Sequence, residues 1–535
     1  MKIIAVRAFA LGALGLVTAA CQSIPKPADT VVAMPNVPVE QPYEVLDQET
    51  VSVPQNPSVA GLRWQEFYAD SKLKALIELG LNNNKDLERA LLAIQSAKAQ
   101  YQIQDTTDVP KLGVSAGATR SANGQDSNPR ASYNVGLAMS SYELDLWGRV
   151  DSAKDAALHE YLATNAAKDA VQIALIANIA QSYVGLSYAL AQRQLALATL
   201  KTREHSLMIA KARFKAGVDA KSASLQAEAS LEGAKLAIYG ADTEILKARN
   251  ALQLLLGVSV PDELLPEMAV SDITSQTLFS TGLPSELLYY RPDIVQAEHA
   301  LKSAGANINV ARAAYFPSIS LSGNLGFGSS SLKELLQSGA FGWSFGPALN
   351  LPIFDAGVRR ANYEVAQIAQ KSALVAYEKA IQTAFKEVND VLAMRATLGQ
   401  QLQTQYRLQK NYQETYNIAH ARFRAGLDNY LGVLDAERSL FANQQSILSL
   451  EHQKVLSQIQ LYQALGGGAT LSAEQVAEFD TQREAMRTAS IATQEQQRLA
   501  IDNHKIVGAM NVVQPKPEAM AAAPSSAPQS LSTHD

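Results

Sequence analysis

One thiol serves the whole 535-residue chain, Cys21, so intrachain disulfides and multi-cysteine metal or iron–sulfur sites are excluded. Seven histidines are present, none in an H-x-x-x-H pair. His159, His205, His299, His420 and His452 are scattered along helical stretches and read as surface or packing residues, not metal ligands. The chain has no G-x-S-x-G and no phosphate-binding loop, and Gly323-x-x-Gly326-x-Gly328 sits in a strand pattern instead of a strand-to-helix turn. A net charge of −5 gives no electrostatic case for nucleic acid. No residue constellation supports an enzyme or a cofactor. What remains is one nucleophile near the N-terminus, two aspartates (Asp219 and Asp428) placed two residues beyond a glycine, and long patterned segments that must position them.

Lys2 and Arg7 accompany an apolar run, Ala8 to Ala20, that is too short to span a bilayer, so residues 1–20 read as a signal peptide. The run Leu16-Val17-Thr18-Ala19-Ala20-Cys21 resembles a bacterial lipobox, whose cysteine carries diacylglycerol, although Thr18 stands where an aliphatic residue is usual. Gln22 follows in place of Asp, which resembles outer-membrane sorting. The alternative is ordinary cleavage near Ala20 with an idle cysteine. No later stretch reaches 18 uninterrupted apolar residues.

The chain contains itself twice. Arg213-Phe214-Lys215-Ala216-Gly217-Val218-Asp219 recurs as Arg422-Phe423-Arg424-Ala425-Gly426-Leu427-Asp428 at an offset of 209, as do Ala227-Glu228 with Ala436-Glu437 and Gly148 with Gly357. Upstream, Asp86 pairs with Asp293 and Pro110 with Pro317 at an offset of 207. This is tandem duplication of a unit far longer than a solenoid period. Each unit reads as helix–strand–strand–helix–helix. The first helices are expected over Ser71–Thr106 and Pro284–Tyr315, and the tip glycines suit helix C-termini, with Asp219 and Asp428 capping the returning helices.

The strands are expected over about 111–146 and 317–354, with period-2 alternation. Ile319, Leu321, Leu325 and Phe327 alternate with serines, Asn324 and Gly326, and Phe341, Trp343, Phe345 and Leu349 alternate with Gly342, Ser344, Gly346 and Asn350. A half-buried sheet of a soluble domain gives the same pattern. The helices favour another answer. Proline-free helical patterns run from about 148 to 216 and 357 to 425, each about 100 Å long at 1.5 Å per residue. Leu231, Ile238, Ile245 and Leu252 form a heptad seam, and Ala366, Ala369, Ala373, Ala376 and Ala380 a small-residue stripe. Four strands cannot close a membrane barrel, and open edges are forbidden in lipid, so three copies sharing a twelve-stranded barrel satisfy the constraint.

Trp64…Phe67…Asp70…Leu73, Asn84…Asp86-Leu87, Arg291-Pro292-Asp293-Ile294, Tyr315-Phe316-Pro317 and Pro352-Ile353-Phe354-Asp355, with the duplicated Arg-Phe-x-Ala-Gly motif, resemble the TolC-like outer membrane factors, most of all the lipid-anchored NodT kind. The resemblance implies a mainly α fold with a membrane β-barrel, a homotrimer whose barrel continues into a long periplasmic helical barrel. It also implies passage of small molecules from a periplasmic adaptor and an inner-membrane resistance–nodulation–division transporter to the exterior. An exit duct for type I polypeptide secretion has the same fold, and a pore-free periplasmic coiled-coil scaffold is a further alternative. The domains expected are an anchored extended segment over 21–61, repeats over 62–282 and 283–468, and a partly disordered C-terminal segment over 469–535.

By the same resemblance, Leu431 and Asp435 match a leucine ring and an aspartate ring that gate the periplasmic mouth. Ala216, Gly217, Val218, Ala425, Gly426 and Leu427 match the tips that receive adaptor hairpins. Ser222 and Gln226, the first-repeat counterparts of the gate pair, carry neither feature, and Gly432 replaces a second acidic ring found in some relatives. The plainer alternative makes Leu431 a coiled-coil seam residue and Asp435 a surface partner of Arg438.

Overall fold

Sixty-seven residues without proline, bounded by glycines, dictate the longest elements of this molecule. The computed structural model describes residues 62–122, 129–267, 273–274 and 291–467, all within a unit spanning Met1–Thr470. The expected signal peptide, Cys21, the segment to 61 expected to be extended and the C-terminal segment from 469 lie outside the described residues. The first repeat comprises α1 (Trp64–Phe67), α2 (Ser71–Asn83), α3 (Lys85–Asp105), β1 (Leu112–Ser121), β2 (Arg130–Leu144), α4 (Arg149–Lys215) and α5 (Lys221–Leu256). The second comprises α6 (Pro292–Ala313), β3 (Ser318–Ser329), β4 (Phe341–Asn350), α7 (Val358–Arg424) and α8 (Tyr430–Ala464). The duplicated order holds, and the paired long helices match in length, 67 against 67 residues and 36 against 35.

One expected element is two. Asn84 adopts an extended conformation and splits the first helix into α2 and α3. Its side chain accepts from Leu87 N at 2.9 Å, capping α3, while its Nδ2 donates to Leu255 O at 2.8 Å. Gly257, at φ 70°, lets the end of α5 approach so closely that a Cβ there would lie 2.4 Å from Asn83 O. The second repeat solves the same problem with a different residue. Arg291, at the position of Asn84, donates from Nη1 to Ala464 O at 3.0 Å, and Ala464 is the counterpart of Leu255. Thus α5 ends where α3 begins, α8 ends where α6 begins, and one side chain at each junction satisfies a carbonyl left open at a helix C-terminus.

The main core gathers at these junctions. Phe67 stacks on Tyr462 with ring centroids 4.0 Å apart, and Tyr462 Oη donates to Leu62 O at 2.8 Å. Leu76, Ile77, Ile176, Ile179, Leu252, Leu256 and Ile459 bury completely around them, each contributing about 1.5–3 kcal/mol of apolar transfer. Helix α4 contains an 18-residue window apolar enough to cross a membrane, but 61% of it is buried, so its apolarity serves this core. The heptad expected in α5 holds: Leu231, Ile238 and Leu252 are buried and Ile245 half-buried, with Ala234 and Ala241 buried between them. The alanine stripe of α7 is only half a seam, since Ala373 and Ala380 pack against Ile294, Leu301 and Tyr377 while Ala369 and Ala376 stay exposed.

Candidate channel and gate

The four strands form one antiparallel sheet in the order β1-β2-β3-β4. Register decides what alternation alone left open. Val114 faces Leu137, Leu137 faces Leu325, and Leu325 faces Trp343, so the apolar sets of all four strands share one surface. That surface is bare: Val114 is 78% exposed, Trp343 75% and Leu349 66%. Ser115, Asn134, Asn324 and Ser344 occupy the opposite face with many glycines. A slip by one residue in any pair would have mixed the two sets.

On the small face Gly136 and Gly326 are directly opposed, and a Cβ on either would come within 2.7 Å of the other's Cα and closer still to a backbone carbonyl oxygen of the facing strand. Strands β2 and β3 approach so closely here that this pair must lack side chains. Gly136→Val is therefore expected to abolish the correctly folded, heat-resistant form in outer-membrane fractions. The same change at Gly113, where a Cβ meets nothing within 4 Å, is expected to be tolerated.

Strand and helix join through capped turns. Asp145 accepts from Arg149 N at 2.7 Å and Asp151 N at 2.9 Å, and Asp355 accepts from Gly357 N at 3.1 Å and Arg359 N at 3.0 Å. Gly148 and Gly357 take positive φ between strand and helix. Trp147 stacks on Phe316 and donates to Pro317 O at 2.8 Å, tying the first junction to the second repeat.

At the other end of the long helices are the two hairpin tips. Gly217 and Gly426 both have φ 75°. Val218 N donates to Arg213 O and Gly217 N to Phe214 O, and Leu427 N and Gly426 N repeat the pattern with Arg422 O and Phe423 O. This is a Schellman ending, and it leaves Val218 and Leu427 exposed at the turn. The aspartates do not cap the returning helices as expected. The cap positions belong to Ala220 and Asn429, and neither side chain caps. Asp219 instead takes two hydrogen bonds from Arg213, at 2.8 and 3.3 Å, and Asp428 two from Arg422, at 2.6 and 3.1 Å. The Schellman turn sets each aspartate one residue before the cap and facing the arginine, so it makes a forked, charge-assisted pair across the turn in place of a cap. Arg422 holds the Asp428 carboxyl below its ordinary range.

Leu431 and Asp435 lie one turn apart on the open face of α8, with Gly432 and Arg438. Leu431 is 44% exposed, whereas Tyr430, Val433, Leu434, Glu437 and Leu440 form the buried seam, so Leu431 is not a seam residue. Arg438 does stand near Asp435, but at 4.0 Å between two exposed side chains it constrains little. Ser222 and Gln226 are exposed at the equivalent places on α5.

Sequence reasoning missed the most buried ion pair among the described residues. Arg203 of α4 donates to Glu437 Oε1 at 3.0 Å and to Ser230 O at 2.7 Å, with both charged side chains nearly buried. Burial pushes the Glu437 carboxyl up, and Arg203 only partly opposes it. Its second oxygen has no hydrogen-bond partner among the described residues. The first-repeat counterpart, Glu228, meets Lys211 of its own hairpin at 3.5 Å on the surface. Nothing local distinguishes the two glutamates.

A four-stranded sheet, apolar on one face and small and polar on the other, with two edges unpaired among the described residues and two helical hairpins about 100 Å long, is one subunit's share of a membrane channel. The model of the family described as outer membrane efflux protein matches residues 76–258 and 283–467. The chain belongs to the outer membrane efflux protein family. It is 41% identical over 423 residues to the toluene efflux pump outer membrane protein TtgF of Pseudomonas putida, covering 78% of this chain and 87% of that protein. It is 39% identical over 438 residues to the cation efflux system protein CusC of Escherichia coli, covering 81% and 94%. The open state of the Neisseria gonorrhoeae MtrE outer membrane channel superposes with a TM-score of 0.74 at 37% identity, covering 83% of this chain and 99% of that one.

Proposed function

We propose that three copies of this chain close a twelve-stranded barrel continuous with a helical cylinder, anchored by lipid at Cys21, and that this duct is the outer-membrane exit of a tripartite pump. It passes small molecules, such as drugs or other toxic compounds, handed on by a periplasmic adaptor and an inner-membrane resistance–nodulation–division transporter. The observation that carries the reading is the four-stranded sheet whose outer edges, on β1 and β4, are unpaired among the described residues, with a bare apolar face. In lipid, such a sheet is stable only when closed by further strands. The efflux-pump names of the relatives favour small molecules over secreted polypeptides. Tip residues Ala216, Gly217, Val218, Ala425, Gly426 and Leu427 are the adaptor contacts, and Leu431 and Asp435 the periplasmic gate.

The duplication supplies the seam between copies. Inside one chain, α6 is wedged between α4 and α7, with His299 of α6 against His159 of α4. The counterpart of α6 is α3, and that of α4 is α7. Helix α3 lies along α4 and leaves Leu92 57% exposed, while α7 leaves Val365, Ile368 and Val375 bare at 64, 58 and 62%. Leu92 is the counterpart of His299, and Ile368 that of His159. Repeating the internal contact between copies therefore sets Ile368 of one copy on Leu92 of the next.

Combined Leu92→Cys and Ile368→Cys substitutions are expected to give disulfide-linked trimers on oxidation in membranes. Each single substitution controls for Cys21. Absence of crosslinked trimer, together with no conductance from the purified protein in a planar bilayer, would rule out the duct. In the native host, deletion is expected to sensitise cells to a subset of toxic small molecules.

A further inference from the structure

Two histidines that the sequence separates by 140 residues meet on adjoining helices. His159 Nδ1 of α4 lies 3.2 Å from His299 Nδ1 of α6, and the rings are tilted by 27° with centroids 5.3 Å apart. The counterparts elsewhere in the duplicated fold are Ile368 and Leu92, both apolar, so helix packing at this position does not itself require imidazoles. We propose that His159 and His299 form a binding site for a divalent transition-metal ion of the Cu2+ or Zn2+ class, clamping α4 to α6.

The bite fits. Two metal–nitrogen bonds of about 2.05 Å reaching nitrogens 3.2 Å apart subtend roughly 100° at the ion, between octahedral and tetrahedral angles. A metal takes neutral imidazoles. Without metal, one ring donates Nδ1–H to the other. On binding, that proton moves to Nε2 of the same ring, so both Nδ1 lone pairs face the ion and no net proton is released.

Charges around the site are mixed. Asp155, one helical turn before His159, and Glu298, beside His299, act on the pair, as does Lys302. Lys302 is itself paired to Glu298 at 2.8 Å. Among the described residues no three His, Cys, Asp or Glu side chains converge, so the remaining coordination positions are left for water. Imidazole ligands and the ordinary affinity order favour Cu2+. The site is independent of the tips and the sheet, and its presence does not depend on the duct reading.

The test uses untagged, full-length protein in detergent, titrated with Cu2+ and followed by calorimetry and by electron paramagnetic resonance. One Cu2+ per chain with two-nitrogen coupling is expected. Loss of a ligand costs at least as much as loss of an outer-shell partner, so His159→Ala or His299→Ala is expected to weaken binding by roughly 10–100-fold or more. His452→Ala, outside the pair, is expected to leave it unchanged. The combined His159→Ile and His299→Leu variant rebuilds the apolar pair of the counterpart seam, so it is expected to fold as a trimer and lose the Cu2+. Equal Cu2+ affinity in that variant and the unmodified protein, or no Cu2+ bound by the unmodified protein, would overturn the proposal and leave the pair a hydrogen-bonded helix contact.

Discussion

Arg203→Met is expected to loosen the second hairpin from the first by about 3–5 kcal/mol at neutral pH, one of the largest effects of any single change in the helical region. The reason lies in what stays behind. Glu437 would keep its buried site with no cation beside it, and its second oxygen already lacks a partner among the described residues. The pH dependence has a definite sign. The folded-state carboxyl is raised, with burial the leading cause. Its contribution to stability is therefore fully present in acid, below its unfolded value, and is lost as pH rises through the folded value. Removing Arg203 takes away the main opposing influence and raises the carboxyl further. Acid is thus expected to rescue Arg203→Met by protonating Glu437. Combined Arg203→Met and Glu437→Met substitutions are expected to restore near-original stability at every pH, since an apolar pair of similar volume replaces a desolvated ion pair. Thermal melting of detergent-purified protein by circular dichroism, from mildly acidic to neutral pH, reads all three variants. A flat pH response in Arg203→Met would sink this account.

Leu431→Ala with Asp435→Ala is expected to raise single-channel conductance several-fold in planar bilayers. Both side chains project from the open face of α8 one turn apart, away from the buried seam at Val433, Leu434 and Glu437. In the proposed gate, three copies of Leu431 about a common axis would form an apolar constriction that excludes water and ions, and three copies of Asp435 a cation-attracting ring. Asp435→Ala alone is expected to reduce cation selectivity with a smaller rise in conductance. Ser222→Ala with Gln226→Ala, the same positions of the first hairpin, is expected to change neither quantity. If the α8 double variant conducts like the unmodified channel, the mouth is closed by something other than these residues.

These predictions rest on features that differ in how they are encoded. Periodic and local signals were legible in the residues alone. Duplication shows as matched motifs at fixed offsets, strands as alternation and long helices as uninterrupted pattern. The tips show as Ala-Gly pairs, because a Schellman turn needs positive φ at one place. Even the trimer follows in outline, since four strands cannot close in lipid. Partner choice was not legible. Asp219 and Asp428 sit one residue before the cap positions, and a seven-residue turn brings Arg213 and Arg422 round to meet them. Ser71–Thr106 reads as one helix because Asn84 is a mild breaker; its extended conformation is stabilised by Leu255, 171 residues away.

The elements, their doubling and their need for further copies are therefore encoded locally, because each is written in residues a few positions apart. Which side chains share an environment emerges only on folding. These are the common apolar face of four registered strands, Arg203 against a glutamate 234 residues distant, and His159 against His299. Such meetings depend on how two hairpins lie against each other, and a shift of one residue along a helix turns each side chain by about 100°.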